Sequence, residues 1–288
     1  MNGLPKGVWY ALALTVALTC CAFVVTHYVR RPPPTVNTTV SEKDLAEGEA
    51  LYKKAVELNS VGGPVFVPER AQARELLLSA VRLGYPKAFG ELGFMYLREE
   101  GGPYMPKEAV ALFKKGIALG DTISMRGMGW VFRGGLPGIA PEDMDWTVKL
   151  YVRAAELGDV QAQYLAGTML LGENWLFEPG KMKVIPYPKV DEKEGLRWLM
   201  KAVENGDSRG YEVAAVYFRR KGPPDEAEKY ERKGAMMGNK TCIYDLEMRY
   251  YSSNRALSDC YKKVYRGAPE KPEVPIPNLD ELCPRSLR

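Results

Sequence analysis

The chain holds one histidine in 288 residues, and this histidine, His27, lies inside a hydrophobic amino-terminal segment. Outside that segment no imidazole is present for general-base work or for the Ser-His-Asp and Cys-His arrangements of nucleophilic catalysis. The five cysteines include no Cys-x-x-Cys pair, which excludes zinc sites built on that pair or on histidine. A phosphate-binding glycine loop and a dinucleotide fingerprint are also missing. These absences predict a protein that is not an enzyme and has no catalytic site, metal site or cofactor.

Carboxylates remain as groups that can perform hydrolysis without histidine. Glu99-Glu100 and Glu142-Asp143 are adjacent pairs in expected turns or helix starts, where we interpret them as solvated charge. A carboxylate-based hydrolase stays open as a distant alternative. The formal net charge of +4 is mild, so it does not indicate nucleic-acid binding, and no small-molecule substrate is expected.

One pattern occurs five times and is centred on a glycine. A large apolar residue stands eight positions before each glycine, and small residues stand four before and four after it. Twelve positions after the glycine the residue is again large and apolar. The glycines are Gly84, Gly120, Gly158, Gly206 and Gly238. The residues eight before them are Leu76, Leu112, Leu150, Trp198 and Tyr230. A period this regular predicts stacked helical hairpins.

The residues around each glycine explain why two helices would meet there. Glycine tolerates the left-handed backbone that ends a helix, and a good N-cap usually follows it. These predicted N-caps are Asp121, Asp159, Asp207 and Asn239, whereas the first unit has Tyr85-Pro86. The predicted starts of the upstream helices are Pro68, Pro106, Pro141 and Pro224. Because no segment here alternates as a strand would, the stretch is predicted to be all-helical.

Three copies carry a family resemblance. They are Tyr151-Val-Arg-Ala-Ala-Glu-Leu-Gly-Asp-Val-Gln-Ala-Gln-Tyr-Leu-Ala-Gly167, Trp198-Leu-Met-Lys-Ala-Val-Glu-Asn-Gly-Asp207 and Leu112-Phe-Lys-Lys-Gly-Ile-Ala-Leu-Gly-Asp121. The pattern resembles the Sel1-like repeat family, a relative of the tetratricopeptide repeats, over roughly residues 69–250. The resemblance implies an all-α, right-handed superhelical solenoid of about five helix-turn-helix repeats. It is specific for fold and weak for function.

The amino terminus has a different character. Residues 8–29 are 22 positions without a formally charged side chain, with Trp9 and Tyr10 at one end and Tyr28 at the other. As a helix this segment would be about 33 Å long, enough to span a bilayer. We therefore predict that residues 1–31 form one transmembrane anchor or an uncleaved signal, followed by a Pro-containing linker at 32–43.

The segments before and after the repeats are predicted to cover the two ends of the solenoid. Residues 44–68 are predicted to form an N-terminal capping helix and loop, and residues 251–288 a C-terminal capping helix and a Pro-rich tail. The tail either folds back onto the solenoid or stays mobile. Cys260 and Cys283 flank its prolines and are a candidate disulfide outside the cytoplasm, or two thiols in a reducing compartment. Cys242 occupies a small repeat position and is interpreted as packing.

Two sets of residues are candidates for partner binding. The glycine spacing widens to 48 within an insertion at 173–190, which contains Trp175, Phe177 and Tyr187. These aromatic residues either cover the adjacent hydrophobic layer or anchor a partner.

The second set is a ladder of cations on the upstream helices, at positions five and nine residues before each glycine. The ladder consists of Lys115, Lys149, Arg153, Arg197, Lys201, Lys229 and Lys233. It would guide an acidic partner, or its long side chains would simply cover apolar surface.

The absence of catalytic groups favours a protein-binding role, with another protein as partner. Repeat number, chain length and the amino-terminal segment are similar to those of membrane-anchored immunity proteins of type VI secretion phospholipase effectors. That resemblance implies direct binding and neutralisation of such an effector. It also implies one pass through the bacterial inner membrane with the repeats in the periplasm, although the count of flanking cations does not favour export. The alternative is an envelope scaffold or regulatory adaptor that organises a signalling or secretion complex.

Overall fold

The computed structural model describes residues 40–60, 68–172, 175–178, 181–184, 189–268, 275–276 and 278–286. Within these ranges the chain forms thirteen helices and one antiparallel β-hairpin. The helices are α1 (Glu42–Asn59), α2 (Pro68–Arg82), α3 (Pro86–Leu97), α4 (Pro106–Ala118), α5 (Thr122–Gly134), α6 (Met144–Glu156), α7 (Val160–Leu170), α8 (Glu192–Glu204), α9 (Arg209–Lys221), α10 (Pro224–Met236), α11 (Lys240–Tyr250), α12 (Arg255–Gly267) and α13 (Leu279–Leu282). The strands are β1 (Trp175–Glu178) and β2 (Lys181–Val184).

Five helical hairpins follow one another, as the glycine pattern predicts. The first helices of the hairpins are α2, α4, α6, α8 and α10, and the second helices are α3, α5, α7, α9 and α11. All five repeat glycines have a positive φ, between 77° at Gly84 and 92° at Gly206, which confirms the predicted helix stops. The side chains of Asp121, Asp159 and Asn239 accept backbone N–H groups of the first turn, so these predicted N-caps are also confirmed.

Two predicted helix starts are displaced. Helix α9 begins at Arg209 with Ser208 at its N-cap, and the carboxylate of Asp207 binds the backbone N–H and the guanidinium of Arg209 instead of capping. Helix α6 begins at Met144 rather than directly after Pro141, because Asp143 accepts the N–H of Trp146 and sets the cap there.

The expectation of a purely helical repeat region is wrong at the insertion. Strands β1 and β2 pair antiparallel between the third and fourth hairpins, with Trp175 opposite Val184 and Phe177 opposite Met182. The hairpin is a local addition, because the helices on either side keep the repeat pattern.

The hairpins stack through the second helix of one unit and the first helix of the next. Each second helix makes its most extensive contact with the first helix of the next hairpin. Its contact with the first helix of its own hairpin is smaller. Helix α1 packs on α2 in the same way, and α12 packs on α11. Within the described residues, the array therefore runs from a second helix, α1, to a sixth first helix, α12.

Small residues let the two helices of a hairpin approach closely. A Cβ added at Gly116 would lie 2.0 Å from Ser124 Oγ, and one at Gly234 would lie 2.3 Å from Cys242 Sγ. Cys242 is fully buried, in agreement with its predicted packing role. The residues seven before the glycines fill the space between units: Leu77, Phe113, Tyr151 and Leu199, none more than 2% exposed.

The carboxyl-terminal tail folds back onto the last helices over residues 275–276 and 278–286. The N–H of Ile276 donates to the carbonyl of Met236 at 2.7 Å, and Leu279 and Cys283 are fully buried. Cys283 forms a disulfide with Cys260 of α12. The described part of the tail thus lies against both α10 and α12.

Membrane insertion was predicted for residues 8–29, which lie outside the described residues. Among the helices that the structure does describe, none combines the length and the apolar composition needed to cross a bilayer.

Candidate partner-binding surface

The seven cations of the predicted ladder all lie exposed on first helices of the array. They form two columns that we name by their distance to the repeat glycine. Column 5 consists of Lys115, Arg153, Lys201 and Lys233, and column 9 consists of Lys149, Arg197 and Lys229. Helices α4, α6, α8 and α10 each contribute at least one of these cations.

Column 9 is held in place by aromatic rings. The Lys149 ammonium lies 4.7 Å from the ring centroid of Trp146, and the Arg197 guanidinium lies 4.1 Å from that of Trp198. Lys229 lies 5.8 Å from the ring of Tyr230. A cation over an aromatic face gains about 0.5–1 kcal/mol at exposed sites. The column therefore has a restricted conformation before any partner arrives.

Part of the ladder's charge is balanced within the same helices. Arg197 pairs with Glu194 through two guanidinium nitrogens, and this hydrogen bonding raises the pKa of Arg197. Lys229 lies 3.2 Å from Glu226, and Arg153 lies 3.4 Å from Glu156. Such exposed pairs contribute little stability, because water screens them. The ladder is consequently a mixed-charge surface with a cationic excess rather than an unbroken positive stripe.

Column 5 extends one helix further than the sequence pattern indicated. Buried Leu257 and Tyr261 of α12 repeat the spacing of buried Ala227 and Glu231 in α10. This register puts exposed Lys263 at the position that Lys233 occupies in α10. The glycine search missed Lys263 because α12 has no glycine stop in the repeat register. The signal that finds it is the spacing of Leu257 and Tyr261.

The insertion contributes a β-hairpin between the third and fourth units. Trp175 and Phe177 belong to β1, paired with β2. Tyr187 lies outside the described residues. The structure thus assigns strand geometry to two of the three aromatic candidates and does not link them to the ladder.

An ion network around the buried carboxylate of Glu231 joins the last two units. Glu231, 1% exposed, accepts hydrogen bonds from Arg249 Nε at 2.6 Å and from Arg219 Nη2 at 3.0 Å. Arg219 also binds Asp245 at 2.6 Å, so α9, α10 and α11 are connected through one set of charges. Hydrogen bonding to Glu231 raises the pKa of Arg249, which keeps its guanidinium charged. The network fixes α10, the helix that carries Lys229 and Lys233.

The carboxylate pairs do not converge into a reactive site. Asp143 caps α6, exposed Glu142 precedes it, and Glu100 lies 3.5 Å from the Asn59 amide. Among the described residues, no group of three or more His, Cys, Asp and Glu side chains is arranged to hold a metal ion.

The Sel1 repeat model matches the chain at residues 41–60, 91–121, 122–159 and 160–207. Its two middle matches end at the N-cap of a second helix, so they run through a second helix and the first helix that follows. The family model therefore groups each second helix with the first helix that follows it, and this is also the pair of helices with the more extensive contact. The first match contains α1, outside the range of the sequence pattern. No curated protein matches the chain in a sequence search.

Solved structures share the fold at low sequence identity. A Sel1 repeat protein from Oxalobacter formigenes aligns with a TM-score of 0.58 and 18% identity, covering 79% of this chain and 91% of that one. Immunity protein PA5088 from Pseudomonas aeruginosa aligns with a TM-score of 0.54 and 19% identity, covering 83% and 87%. Immunity protein PA5087 from the same organism gives 0.53 and 19%, covering 82% and 88%. The repeated match to the family model, together with the stacked hairpins, shows that the chain contains Sel1 repeats.

Proposed function

We propose that this chain is an immunity protein that binds an effector protein directly and neutralises it without catalysis. The observation that carries the proposal is the exposed cation ladder on consecutive first helices, a continuous surface rather than a pocket with reactive groups. Solenoids of this kind bind partners along such extended surfaces. Two of the structural neighbours are named immunity proteins, and they align over more than four fifths of this chain.

The finer proposal is that the effector is a type VI secretion phospholipase that acts in the periplasm. The disulfide between Cys260 and Cys283 supports an oxidising compartment, where such bonds persist. In this proposal residues 8–29 tether the repeats to the inner membrane. The partner's contact region would be acidic, because the ladder has an excess of cations.

Co-expression with the product of the adjacent gene tests the proposal. Cells that make the effector alone should stop growing, and cells that also make this chain should survive. A scaffold would instead capture several proteins and protect against none. Loss of protection is expected when Lys115, Lys201 and Lys233 are all changed to Glu.

The charge-reversed variant needs a control with the same change in net charge. Lys43, Lys54 and Lys87 are exposed on α1 and α3, away from the ladder, and their triple change to Glu serves this purpose. The ladder variant should associate with the effector at least about tenfold more slowly at low salt, whereas the control should stay close to wild type. Equal effects of the two variants would contradict a role for the ladder.

A further inference from the structure

Helix α11 exposes three large apolar side chains on one face. Tyr244 is 46% exposed, Met248 48% and Tyr251, which directly follows the helix, 52%. Positions separated by four and then three residues lie on the same side of a helix. We call this surface the C-terminal aromatic face.

In three of the four earlier units the equivalent position lies against the start of the next second helix. Tyr244 stands six residues after its repeat glycine, and so do Gly90, Arg126 and Tyr164. A Cβ at Gly90 would lie 2.6 Å from the carboxylate of Asp121, which caps α5.

The two other units show the same relation. Arg126 pairs with Asp159, the cap of α7, at 3.0 Å. The Arg209 guanidinium, at the first residue of α9, lies 4.3 Å from the ring centroid of Tyr164. The position is therefore one where a helix amino terminus docks, twice through a capping carboxylate.

Among the described residues, no further second helix packs on α11. Helix α12 takes the place of a sixth first helix, and the tail that follows packs Leu279 and Cys283 against α12 and leaves the aromatic face exposed.

Charges around the aromatic face indicate what it attracts. The Lys240 ammonium lies 5.2 Å from the ring of Tyr265, which itself contacts Tyr244 at 6.1 Å between centroids. At the other end the Arg255 guanidinium lies 4.5 Å from the ring of Tyr251, but it is already paired with Asp259 at 3.4 Å. The nearby carboxylate of Asp245 is bound to Arg219. An apolar stripe with the cation of Lys240 at its start is complementary to an amphipathic segment that begins with a carboxylate.

We propose that the C-terminal aromatic face binds an amphipathic helix of the effector, which begins with a carboxylate and continues the layer of second helices. Apolar side chains of that helix, spaced like Tyr244, Met248 and Tyr251, would insert between them in the manner of a helix in a groove. The inference rests on the proposed function, because it names a second contact for the same partner.

Calorimetric titration of the purified adjacent-gene product into the full-length chain tests this contact. The triple variant Tyr244→Ser, Met248→Ser, Tyr251→Ser should raise the Kd by about 100-fold, since central aromatic side chains dominate binding energies. Trp130→Ser is the matched control, because Trp130 is 49% exposed on α5 and lies outside the face. The control should stay within about twofold of wild type. Thermal unfolding should verify that both variants fold.

The outcomes separate the two proposals. If wild type binds and the triple variant binds equally well, the docking face is refuted and the immunity role stands. If wild type does not bind the effector, both proposals are refuted. Light scattering distinguishes a second copy as occupant. A wild-type dimer that becomes monomeric in the triple variant, with unchanged effector affinity, would overturn the inference.

Discussion

Changing Glu231 to Ala should destabilise the carboxyl-terminal units more than any exposed charge change. Four of the five hairpins place a large apolar residue seven positions before the glycine, whereas the fifth places this carboxylate there. Glu231 is 1% exposed and accepts hydrogen bonds from Arg249 at 2.6 and 2.8 Å and from Arg219 at 3.0 Å. The substitution leaves Arg249, whose side chain is 21% exposed, without this carboxylate.

The expected cost follows from the two arginines. Arg219 is 44% exposed and keeps its ion pair with Asp245, so losing its bond to Glu231 should reduce the free energy of unfolding only slightly. Arg249 loses a two-nitrogen contact in a mostly buried position, and removing one partner of a buried pair costs about 3 kcal/mol or more. The matched control is Glu226→Ala, since Glu226 pairs with Lys229 in the same helix but is 39% exposed. The control should cost about 0.5 kcal/mol or less.

Urea unfolding followed by circular dichroism provides the measurement. Because repeat arrays can unfold unit by unit, the loss should appear in the transition of the carboxyl-terminal units. Glu231→Gln keeps one acceptor oxygen and should lie between wild type and Glu231→Ala. A cost below about 1 kcal/mol for Glu231→Ala, or a cost equal to that of the control, would refute the role of the network.

Three further changes have defined expected outcomes. Gly158 has a φ of 90°, and an added Cβ would meet no atom within 4 Å, so Gly158→Ala should lower the free energy of unfolding by about 1 kcal/mol through backbone strain alone. The control is Gly134→Ala, at a helical glycine with equally open space, which should not destabilise the protein. Chemical unfolding measures both changes. Burial raises the pKa of Glu91 above its usual 4.5, so wild-type stability falls as the pH rises from the unfolded-state pKa through the folded-state pKa. Glu91→Gln should therefore be more stable than wild type at pH 7 and should lose that advantage at a pH below both pKa values. Melting curves across pH measure this difference. Breaking the Cys260–Cys283 bond, whose cysteines are 23 residues apart, should cost about 3 kcal/mol, and a reductant should lower the melting temperature of wild type but not of the variant with serine at both positions.

Much of the fold could be predicted because the repeat glycines have a strict backbone requirement. A positive φ at Gly84, Gly120 or Gly158 is inexpensive only for glycine, so the sequence marks each turn between helices. Helix α12 lacks the pattern because, within the described residues, it has no second helix of its own to form a hairpin with. Val264 then stands where the other first helices need Ala or Gly.

The β-hairpin of the insertion was missed although its signal is local. Trp-Leu-Phe-Glu at 175–178 and Lys-Met-Lys-Val at 181–184 flank Pro179-Gly180, a dipeptide typical of turns. Strands of four residues are too short for a strong alternating pattern. Searching for turn dipeptides rather than periodicity would have identified the hairpin.

Part of the ladder's charge balance can be read from helical spacing. Glu194 stands three residues before Arg197 and Glu226 three before Lys229, so both pairs are readable from sequence at helical spacing. The buried network around Glu231 is different. Its three members come from separate helices, and only the stacking of the units brings Arg219, Glu231 and Arg249 together.

The most direct test of the account is a titration of the effector's lipid hydrolysis by the purified chain. Hydrolysis should fall linearly and stop at about one equivalent, since a passive binding protein blocks one effector molecule each. The chain alone should release no product from the same lipid. Unchanged effector activity at several equivalents would contradict the account. So would complete inactivation by a small fraction of an equivalent, which would indicate catalysis by the chain.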